Sequence, residues 1–405
     1  MTESELLVLR SLSEHLDAVL SLATAPTPVT TMAPSDALGL TLAANIYAKL
    51  AVPPFHNSAM DGFLVHHADF NGPGPWTFPV IGDIPAGTDV RTPRRGAALR
   101  IMTGAPVPEE PGLAVVPVEH TNIPRGPQSL PSSVTIFTAP KPSAHIRMRG
   151  EDTAIGELTV AQGTRIDAAT IAALVSTGNA TVPVHQPIRV SILATGDELD
   201  RQIPNSNSPM LAALCQSQGA QTHVLPATGD TPAALRAALE AAKGSNLILT
   251  TGGISAGAFD IVRELLSPDV WFGQVALQPG KPQGAGTFDG IPILCLPGNP
   301  VSAFVSFHLF VAPLMRALSG QVPQGLDERP QLMASAACEF HADSKRDRFI
   351  PVRIKYGTTP QAISSHRSGL GSHFVASLAG VTGLAYLPHG TGTTAIGQPV
   401  RVLLV

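Results

Sequence analysis

Short apolar runs bounded by glycine or proline dominate the middle of the chain. The runs at 247–249 and 293–296 are too brief for helices and lack polar alternation, which is typical of strands buried on both faces of a parallel sheet. Helical segments alternate with such strands, and Thr231, Pro232 and Gly244 supply start and stop signals for one helix. This pattern predicts an α/β fold with a doubly wound, mostly parallel central sheet.

The flanking regions show a different periodicity. Residues 51–141 contain short β-prone runs broken by turns every ~8 to 12 residues, which favours a small barrel or sandwich. The tail at 321–405 predicts a second β-barrel. Residues 1–22 carry apolar positions at helical spacing after a Thr2–Glu5 capping pattern. This spacing predicts an amphipathic helix that packs either on its own chain or on a second subunit. A second, alanine-rich helix is predicted over 167–177.

These patterns divide the chain into several domains. Residues 1–50 and 142–187 flank the first β-rich region, so we expect them to join into one discontinuous domain. The β-rich domain then covers 51–141, the α/β domain 188–320 and the tail barrel 321–405. A chain of 405 residues exceeds what one hydrophobic core usually organises, which agrees with this division.

Composition and charge exclude several classes of partner. Aromatic residues make up 5% of the chain and the net charge is −4 without a basic stripe, so we expect no nucleic acid. Cys215, Cys295 and Cys338 lie far apart without metal-ligand spacing, and predict a reduced, cytoplasmic protein. The acidic N-terminus lacks the charge of a signal peptide, and no uninterrupted apolar run reaches the ~20 residues of a membrane span, so no membrane is expected.

Glycine-bearing turns after the central strands mark the region where chemistry is expected. Gly252 and Gly253 leave room for a ligand beside the backbone, and Ser255 with nearby N–H groups can face an anion. Asp260 adds a hard oxygen ligand to the same turn. Because ligands of open α/β sheets lie beyond the carboxyl ends of the strands, these turns predict one shared site.

Carboxylates at strand ends and in loops indicate a magnesium site. They are Asp152, Glu198, Asp230 and Asp260. Magnesium is commonly held by one or two carboxylates together with substrate phosphate. A helix N-terminus contributes only ~0.3 to 1 kcal/mol toward holding an anion, so metal and Lys281 would have to share the charge of a nucleotide. Helix capping is the alternative role for Asp230 and Asp260.

Loops of the first β-rich domain carry weaker signals. Asp61 lies in a Met60-Asp61-Gly62 turn, where an Asp-Gly pair is also typical of a plain hairpin. The loop at 102–106 has few charges and a glycine that lets backbone approach a ligand. The mixed-charge turn at 149–152 is also typical of a solvated surface. No P-loop, GxGxxG, GxSxG or HExxH motif occurs in the chain.

A series of motifs resembles the molybdopterin molybdenumtransferases, the family that includes the C-terminal part of gephyrin. The motifs are NSAMDG (57–62), IPAG (84–87), MTGAPVPE (102–109), RGED (149–152), TGDEL (195–199), TTGGISAGAFD (250–260), QPGKP (278–282) and LPGNPVSA (296–303). They occur in the family's order over nearly the whole chain. The resemblance implies an elongated homodimer of four-domain subunits, with a central domain of the molybdopterin-binding type and a discontinuous linker and dimerisation domain.

The resemblance also implies a reaction and its residues. The enzyme would insert molybdenum from molybdate into adenylylated molybdopterin and release AMP with the help of Mg2+, at a site between the central domain of one subunit and the NSAMDG domain of the other. The molybdopterin adenylyltransferase is a candidate partner. The implied catalytic residues are Asp61, Asp152, Glu198, Asp230, Asp260, Pro297 and Pro300, of which Glu198, Asp230 and Asp260 are the implied metal ligands. The implied substrate-binding residues are Gly252, Gly253, Ser255, Lys281, Asn299, Arg348 and Ser372.

Two departures from the family pattern concern nucleotide fit. Asn205 stands where the family often has Asp, and Phe63-Leu64 replaces the usual Tyr-Ala after NSAMDG. Two other functions are compatible with this chain: a scaffold that keeps the fold without catalysis, and a molybdopterin adenylyltransferase. In the favoured function the dithiolene of the substrate supplies the soft sulfur ligands, which agrees with three scattered cysteines.

Overall fold

A computed structural model describes residues 9–196, 199, 202–227, 231–254, 261–366, 371 and 373–405. The helices are α1 (Leu12–Leu20), α2 (Ala168–Ser176), α3 (Asn207–Ser217), α4 (Pro232–Ala241), α5 (Ile261–Leu266) and α6 (Pro300–Leu318). The strands before the central sheet are β1 (Val29–Met32), β2 (Ile46–Tyr47), β3 (Asn57–Ser58), β4 (Gly62–His66), β5 (Trp76–Ile84), β6 (Ala98–Ile101), β7 (Leu113–Pro117), β8 (Ser133–Ile136), β9 (Ile146–Arg147), β10 (Leu158–Val160) and β11 (Val182–His185). The central region contains β12 (Arg189–Ala194), β13 (Gln221–Val224), β14 (Leu247–Thr251), β15 (Val270–Gln274), β16 (Leu277–Gln278), β17 (Pro282–Phe288) and β18 (Ile291–Leu296). The tail contains β19 (Gln331–Ala336), β20 (Phe340–His341), β21 (Asp347–Lys355), β22 (Gln361–Ser364), β23 (Gly383–Leu387), β24 (Thr393–Thr394) and β25 (Pro399–Leu404).

The central sheet has the strand order β13-β12-β14-β18-β17-β15. Its first four strands run parallel, and β17 and β15 extend it as antiparallel strands. Neighbouring residues of β14 belong to opposite core layers: Leu249 packs in the layer of α1, α3 and α6, and Ile248 in the layer of α4 and α5. Helices on both faces of a mostly parallel sheet confirm the doubly wound α/β fold that the sequence predicted.

Helix α1 begins later than the sequence pattern predicted. Ser11 is its N-cap: the Ser11 hydroxyl accepts a hydrogen bond from the Glu14 N–H, and the Glu14 carboxylate accepts one from the Ser11 N–H at 2.8 Å. The expected Thr2–Glu5 cap lies outside the described residues. Leu12 and Val19 are buried in the core layer of the central sheet, so the apolar face of α1 packs on its own chain.

Helix α6 is long and apolar enough to span a membrane, but 78% of its apolar window is buried inside the fold. It is therefore a core helix of the central domain. Its middle, Phe307–Val311, is π-helical. Arg329 donates hydrogen bonds to the main-chain oxygens of His308 at 2.8 Å and Leu309 at 3.0 Å, which provides partners for carbonyl groups in this irregular turn.

The two segments that flank the first β-rich region pair with each other. β1 pairs with β11, and β2 pairs with β10, both antiparallel. Leu42 and Ile46 share a buried core with Leu174 and Val184 from the second segment. Residues distant in sequence therefore share one core here, although the domain boundaries assigned from sequence stay a prediction.

The first β-rich region forms a curled sheet with the order β7-β4-β6-β5-β8. Hydrogen bonds from Asn122 N to Thr135 O at 3.0 Å and from Phe137 N to His120 O at 2.9 Å connect the segment after β7 to β8, the opposite edge of the sheet. Phe63 on β4 and Phe78 on β5 fill the interior. The predicted small β-rich lobe is thus present, with its loops arranged around β3 and β4.

The tail forms a barrel in which β21, β22, β19, β25 and β23 follow one another and β23 pairs again with β21. Closure of the ring leaves few strand edges exposed, which is the usual benefit of a barrel. Strand β16 of the central region pairs parallel with β21 and brings Gln278 opposite Arg348. The QPGKP motif is therefore fixed between the central domain and the tail.

Candidate active site

A cavity of about 750 Å3 opens at the carboxyl ends of β12, β14 and β18. The turn after each of these strands lines it: Thr195 and Gly196 after β12, Gly252 and Gly253 after β14, and residues 297–300 after β18. Motifs that lie up to a hundred residues apart in the chain thus meet at one edge of the sheet, because parallel strands end on the same side.

Glycine is required where these turns touch each other. Gly252 has a φ of +93°, and a side chain there would place its Cβ 2.4 Å from the carbonyl oxygen of Thr195. Its N–H donates to Leu296 O at 3.3 Å, which fastens the turn to the end of β18. The floor of the cavity is therefore main chain packed on main chain, which gives a ligand direct access to peptide groups.

The LPGNP motif forms the start of α6. Asn299 is the N-cap residue, Pro300 occupies the first turn, and the Asn299 side chain makes no capping hydrogen bond. Pro297 is buried, whereas Gly298 and Asn299 are exposed toward the cavity that they line. The N-terminus of this 19-residue helix therefore faces the cavity with uncapped N–H groups, an arrangement that favours anions.

Asn207 connects two of the turns, and sequence reasoning missed it. Its buried side-chain amide donates to Thr251 Oγ1 at 2.8 Å and to Gly298 O at 2.7 Å. Its Oδ1 is buried and has no hydrogen-bond partner among the residues that the structure describes. The sequence signal that could have found it is its position two residues after Asn205, which departs from the family pattern.

A second cavity of about 240 Å3 adjoins the first, since Pro282 and Asn299 line both. It lies between the QPGKP turn and the tail barrel, and Lys281 lines it. Buried Gln283 supports this turn from below by donating to Gly280 O and Ser306 Oγ, both at 2.7 Å.

Arg348 braces the QPGKP turn, and the residues that line the two cavities do not include it. Its Nε donates to Gln278 Oε1 at 3.1 Å, and its Nη1 donates to the main-chain oxygen of His341. Burial lowers the pKa of Arg348 from its usual value. The structure thus gives Arg348 a positioning contact.

The first β lobe gathers NSAMDG, MTGAPVPE and RGED. Strand β3 pairs with β9, and both the N–H and the hydroxyl of Thr103 donate to Asp61 Oδ1, at 2.7 and 2.8 Å. The plain hairpin interpretation of Asp61 is wrong, because β4 pairs with β6 and β7 and not with β3. Gly62 is needed because its Cβ would lie 2.0 Å from Val116 O.

Asp61 and Thr103 line a separate cavity of about 610 Å3 in this lobe. Its lining and that of the central cavity share no residue. Asp152 is exposed in the RGED turn, where its N–H donates to Val52 O at 3.0 Å. Asp61 therefore lines a different cavity from the central turns, and Asp152 is in the lining of neither cavity.

Several predicted site residues lie outside the described part of the chain: Glu198, Asp230, Ser255, Asp260 and Ser372. The described lining of the central cavity offers hydroxyl, amide and main-chain groups and the imidazole of His373, and no carboxylate. Among the described residues no group of three His, Cys, Asp or Glu side chains could hold a metal ion. The magnesium ligands expected from the sequence, Glu198, Asp230 and Asp260, are all among the residues that the structure does not describe.

Comparison with known proteins decides the family. Molybdopterin molybdenumtransferase 2 of Mycobacterium tuberculosis (strain CDC 1551 / Oshkosh) is 36% identical over 422 residues, covering 97% of this chain and 99% of the relative. The chain is a member of the molybdopterin molybdenumtransferase family. The molybdopterin molybdenumtransferase of Nostoc sp. (strain PCC 7120 / SAG 25.82 / UTEX 2576) is 33% identical and covers 90% of this chain and 86% of the relative.

Domain models and solved structures agree with this assignment. Residues 10–178 match the MoeA N-terminal region (domain I and II), and residues 191–317 match a probable molybdopterin binding domain. A molybdopterin biosynthesis moeA protein from Pyrococcus horikoshii OT3 has the same fold, with a TM-score of 0.82 at 23% identity over 98% of this chain and 100% of that one. The molybdenumtransferase thus acts in molybdenum cofactor biosynthesis, as the sequence motifs predicted.

Proposed function

We propose that this molybdenumtransferase takes adenylylated molybdopterin and molybdate, transfers molybdenum to the dithiolene and releases AMP in a magnesium-dependent reaction. The observation that carries the proposal is the convergence of three glycine or proline turns and the N-terminus of α6 on one cavity of about 750 Å3. Main-chain N–H groups and a helix N-terminus are general means of holding phosphate.

The two cavities support binding of two anions side by side. The larger one has room for a pterin nucleotide, and the adjoining cavity of about 240 Å3 suits a compact oxyanion such as molybdate. Lys281 supplies the positive charge of that smaller cavity, while Pro282 and Asn299 border both. Binding of adenylylated molybdopterin and molybdate in adjacent cavities would let the two substrates react within one complex with the protein.

A magnesium ion would reduce the repulsion between these anions. Glu198, Asp230 and Asp260 would hold it, and it would polarise the phosphoanhydride of the adenylylated substrate. The described residues of the central cavity would act on the substrate directly: the Gly252 turn and the start of α6 would bind phosphate, and Asn207 connects these two elements.

Two of the protein's three thiols are poor ligands for molybdenum. Cys215 and Cys295 are buried, and burial raises the pKa of each thiol to about 12. Metal binding needs the thiolate, so the sulfur ligands come from the substrate. Free cysteines also support our placement of the enzyme in the reducing cytoplasm, where the adenylyltransferase of the preceding step is its proposed partner.

A homodimer would complete the site. Asp61 lines a cavity that is separate from the central one, so a second subunit is needed if both serve one reaction. Exposed apolar side chains lie next to each other on the paired segments 1–50 and 142–187: Tyr47 and Leu158, cross-strand neighbours on β2 and β10, are each 51% exposed. Such a surface is typical of a protein interface.

The test is reconstitution with purified protein, adenylylated molybdopterin and molybdate, with and without Mg2+. We expect magnesium-dependent AMP release and a cofactor that activates an apo-molybdoenzyme. Binding of substrate without AMP release would instead indicate a scaffold. Consumption of ATP with free molybdopterin would indicate an adenylyltransferase.

A further inference from the structure

The tail contributes aromatic rings to the walls of both cavities. His373 and Val375 line the 750 Å3 cavity, whereas His366 and Phe374 line the adjoining one of 240 Å3. These residues belong to a segment that leads into a short 3-10 helix, Val375–Leu378. The tail therefore closes both cavities with one element.

The rings support each other. Phe374 stacks on His366 with ring centroids 3.7 Å apart and planes 18° apart. His373 packs on Phe374 with centroids 4.3 Å apart and planes 58° apart. Gly371 makes room for this arrangement, since a Cβ there would lie 2.4 Å from the Phe374 ring. His373 thus extends from an ordered aromatic base, which lowers the entropy that its ring would lose on binding a ligand.

His373 is chemically distinct within its cavity. Among the described lining residues it carries the only aromatic ring, and the others are aliphatic, hydroxyl, amide, glycine or proline residues. The glycine turns and the start of α6 can bind phosphate, but they offer no flat surface to a ring. A ligand with both a phosphate and a planar heterocycle needs a partner for the second part, and aromatic side chains, including His, provide it by stacking.

We infer that His373 stacks on the planar nitrogen heterocycle of the substrate, an adenine or a pterin ring, with Phe374 and His366 holding it in position. This inference rests on the proposed function and adds a specificity-determining residue to it. His373 then explains how a site built from main-chain groups distinguishes a nucleotide or pterin phosphate from other phosphates.

The experiment compares binding of AMP, ribose 5-phosphate and neopterin by calorimetry to wild-type protein and to His373→Ala, His373→Phe and Phe374→Leu. AMP and ribose 5-phosphate share the phosphate and sugar and differ in the ring. We expect His373→Ala to weaken the binding of AMP or neopterin by about five-fold or more and to leave the binding of ribose 5-phosphate unchanged. His373→Phe should restore the lost affinity. Phe374→Leu should cause a smaller loss with the same ring dependence. The exposed His223→Ala serves as the matched control.

Each outcome bears on the inference. If His373→Ala loses affinity for AMP alone, adenine is the stacked ring; if it loses affinity for neopterin alone, the pterin is the stacked ring. Equal losses for AMP and ribose 5-phosphate would overturn stacking in favour of a phosphate contact, and unchanged binding of all three ligands would overturn the inference entirely. If wild-type protein binds the ligands but fails in the reconstitution assay, only the proposed reaction fails. A wild-type protein that binds neither AMP nor neopterin overturns both.

Discussion

Thr103 fixes the carboxylate of Asp61 through two hydrogen bonds to the same Oδ1 atom, from its N–H at 2.7 Å and from its hydroxyl at 2.8 Å. The two residues are 42 positions apart and belong to different motifs. The MTGAPVPE loop therefore positions the acid of NSAMDG. The orientation of the Asp61 side chain depends on Thr103, whose loop carries only a weak sequence signal.

Removal of the Thr103 hydroxyl tests this role. Thr103→Val keeps the N–H donor and loses one hydrogen bond to a charged group, so we expect kcat/KM to fall by about ten-fold. Thr103→Ser should retain most activity. Both residues of the pair are exposed, so the melting temperature should change little in either variant. Wild-type activity in Thr103→Val would contradict a positioning role for the hydroxyl.

Mixing two inactive variants tests whether the site is shared between subunits. Asp61→Asn and Asp260→Asn should each lower turnover by ~10² or more, since in the proposed reaction each carboxylate stabilises the transition state. If one site takes Asp61 from one subunit and Asp260 from the other, a heterodimer has one intact site. Equal mixing should then restore about a quarter of wild-type activity.

The control for this mixture is Asp61→Asn combined with itself after the same unfolding or exchange procedure. It should stay inactive. An inactive mixed sample, with heterodimers demonstrated by differently tagged subunits, would show that both acids act within one subunit.

The sequence predicted the elements whose signals are local. The β14 and β18 strands, the Thr231 cap of α4 and the α6 start were visible because apolar period, capping residues and proline position are set by neighbouring residues. The contact of Asn207 with Gly298 could not be predicted from sequence, since the residues are 91 positions apart and only the fold brings them together. The contact of Arg348 with Gln278, 70 positions away, could not be predicted for the same reason, and the substrate-binding role implied for Arg348 stays a prediction.

Substitution of Gly252 tests the close packing of the turns. Gly252→Ala adds a Cβ 2.4 Å from Thr195 O and forces a φ of +93° on an L-residue. We expect a loss of activity of about 100-fold together with a lower melting temperature. Gly244→Ala is the matched control, because Gly244 has a φ of +90° but no atom within 4 Å of its added Cβ. It should lose some stability and keep its activity; equal inactivation of both variants would mean that backbone strain alone is responsible.

Truncation of Asn207 tests the link between the β14 turn and the start of α6. Asn207→Ala removes the donor to Gly298 O and to Thr251 Oγ1, and should cost ~1 to 3 kcal/mol of stability and weaken AMP binding about ten-fold. Thr251→Val removes only one of these contacts and should have a smaller effect on AMP. Calorimetry and thermal unfolding measure both effects. If Thr251→Val weakens AMP binding as much as Asn207→Ala does, the contact with the Thr251 hydroxyl, and not the contact with Gly298, is the important one.

The buried imidazole of His15 makes stability depend on pH. His15 lies between the rings of Trp271 and Phe310, and burial, followed by the nearby Arg10 charge, lowers its pKa from 6.5 to about 3. In the unfolded chain it binds a proton near pH 6.5, so the folded state loses stability as pH falls from 6.5 toward 3, by up to about 1.4 kcal/mol per pH unit. The stabilisation is fully present above pH 6.5.

His15→Leu should remove this contribution, so that the unfolding free energy of wild type minus that of the variant falls steadily as the pH drops below 6.5. Denaturant unfolding at several pH values between 4 and 8 measures it. Leu16→Ala on the same helix is the control: it should lower stability by a similar amount at every pH, because it removes buried apolar surface and no titratable group. A His15→Leu difference that does not change with pH would show that His15 takes up its proton without unfolding.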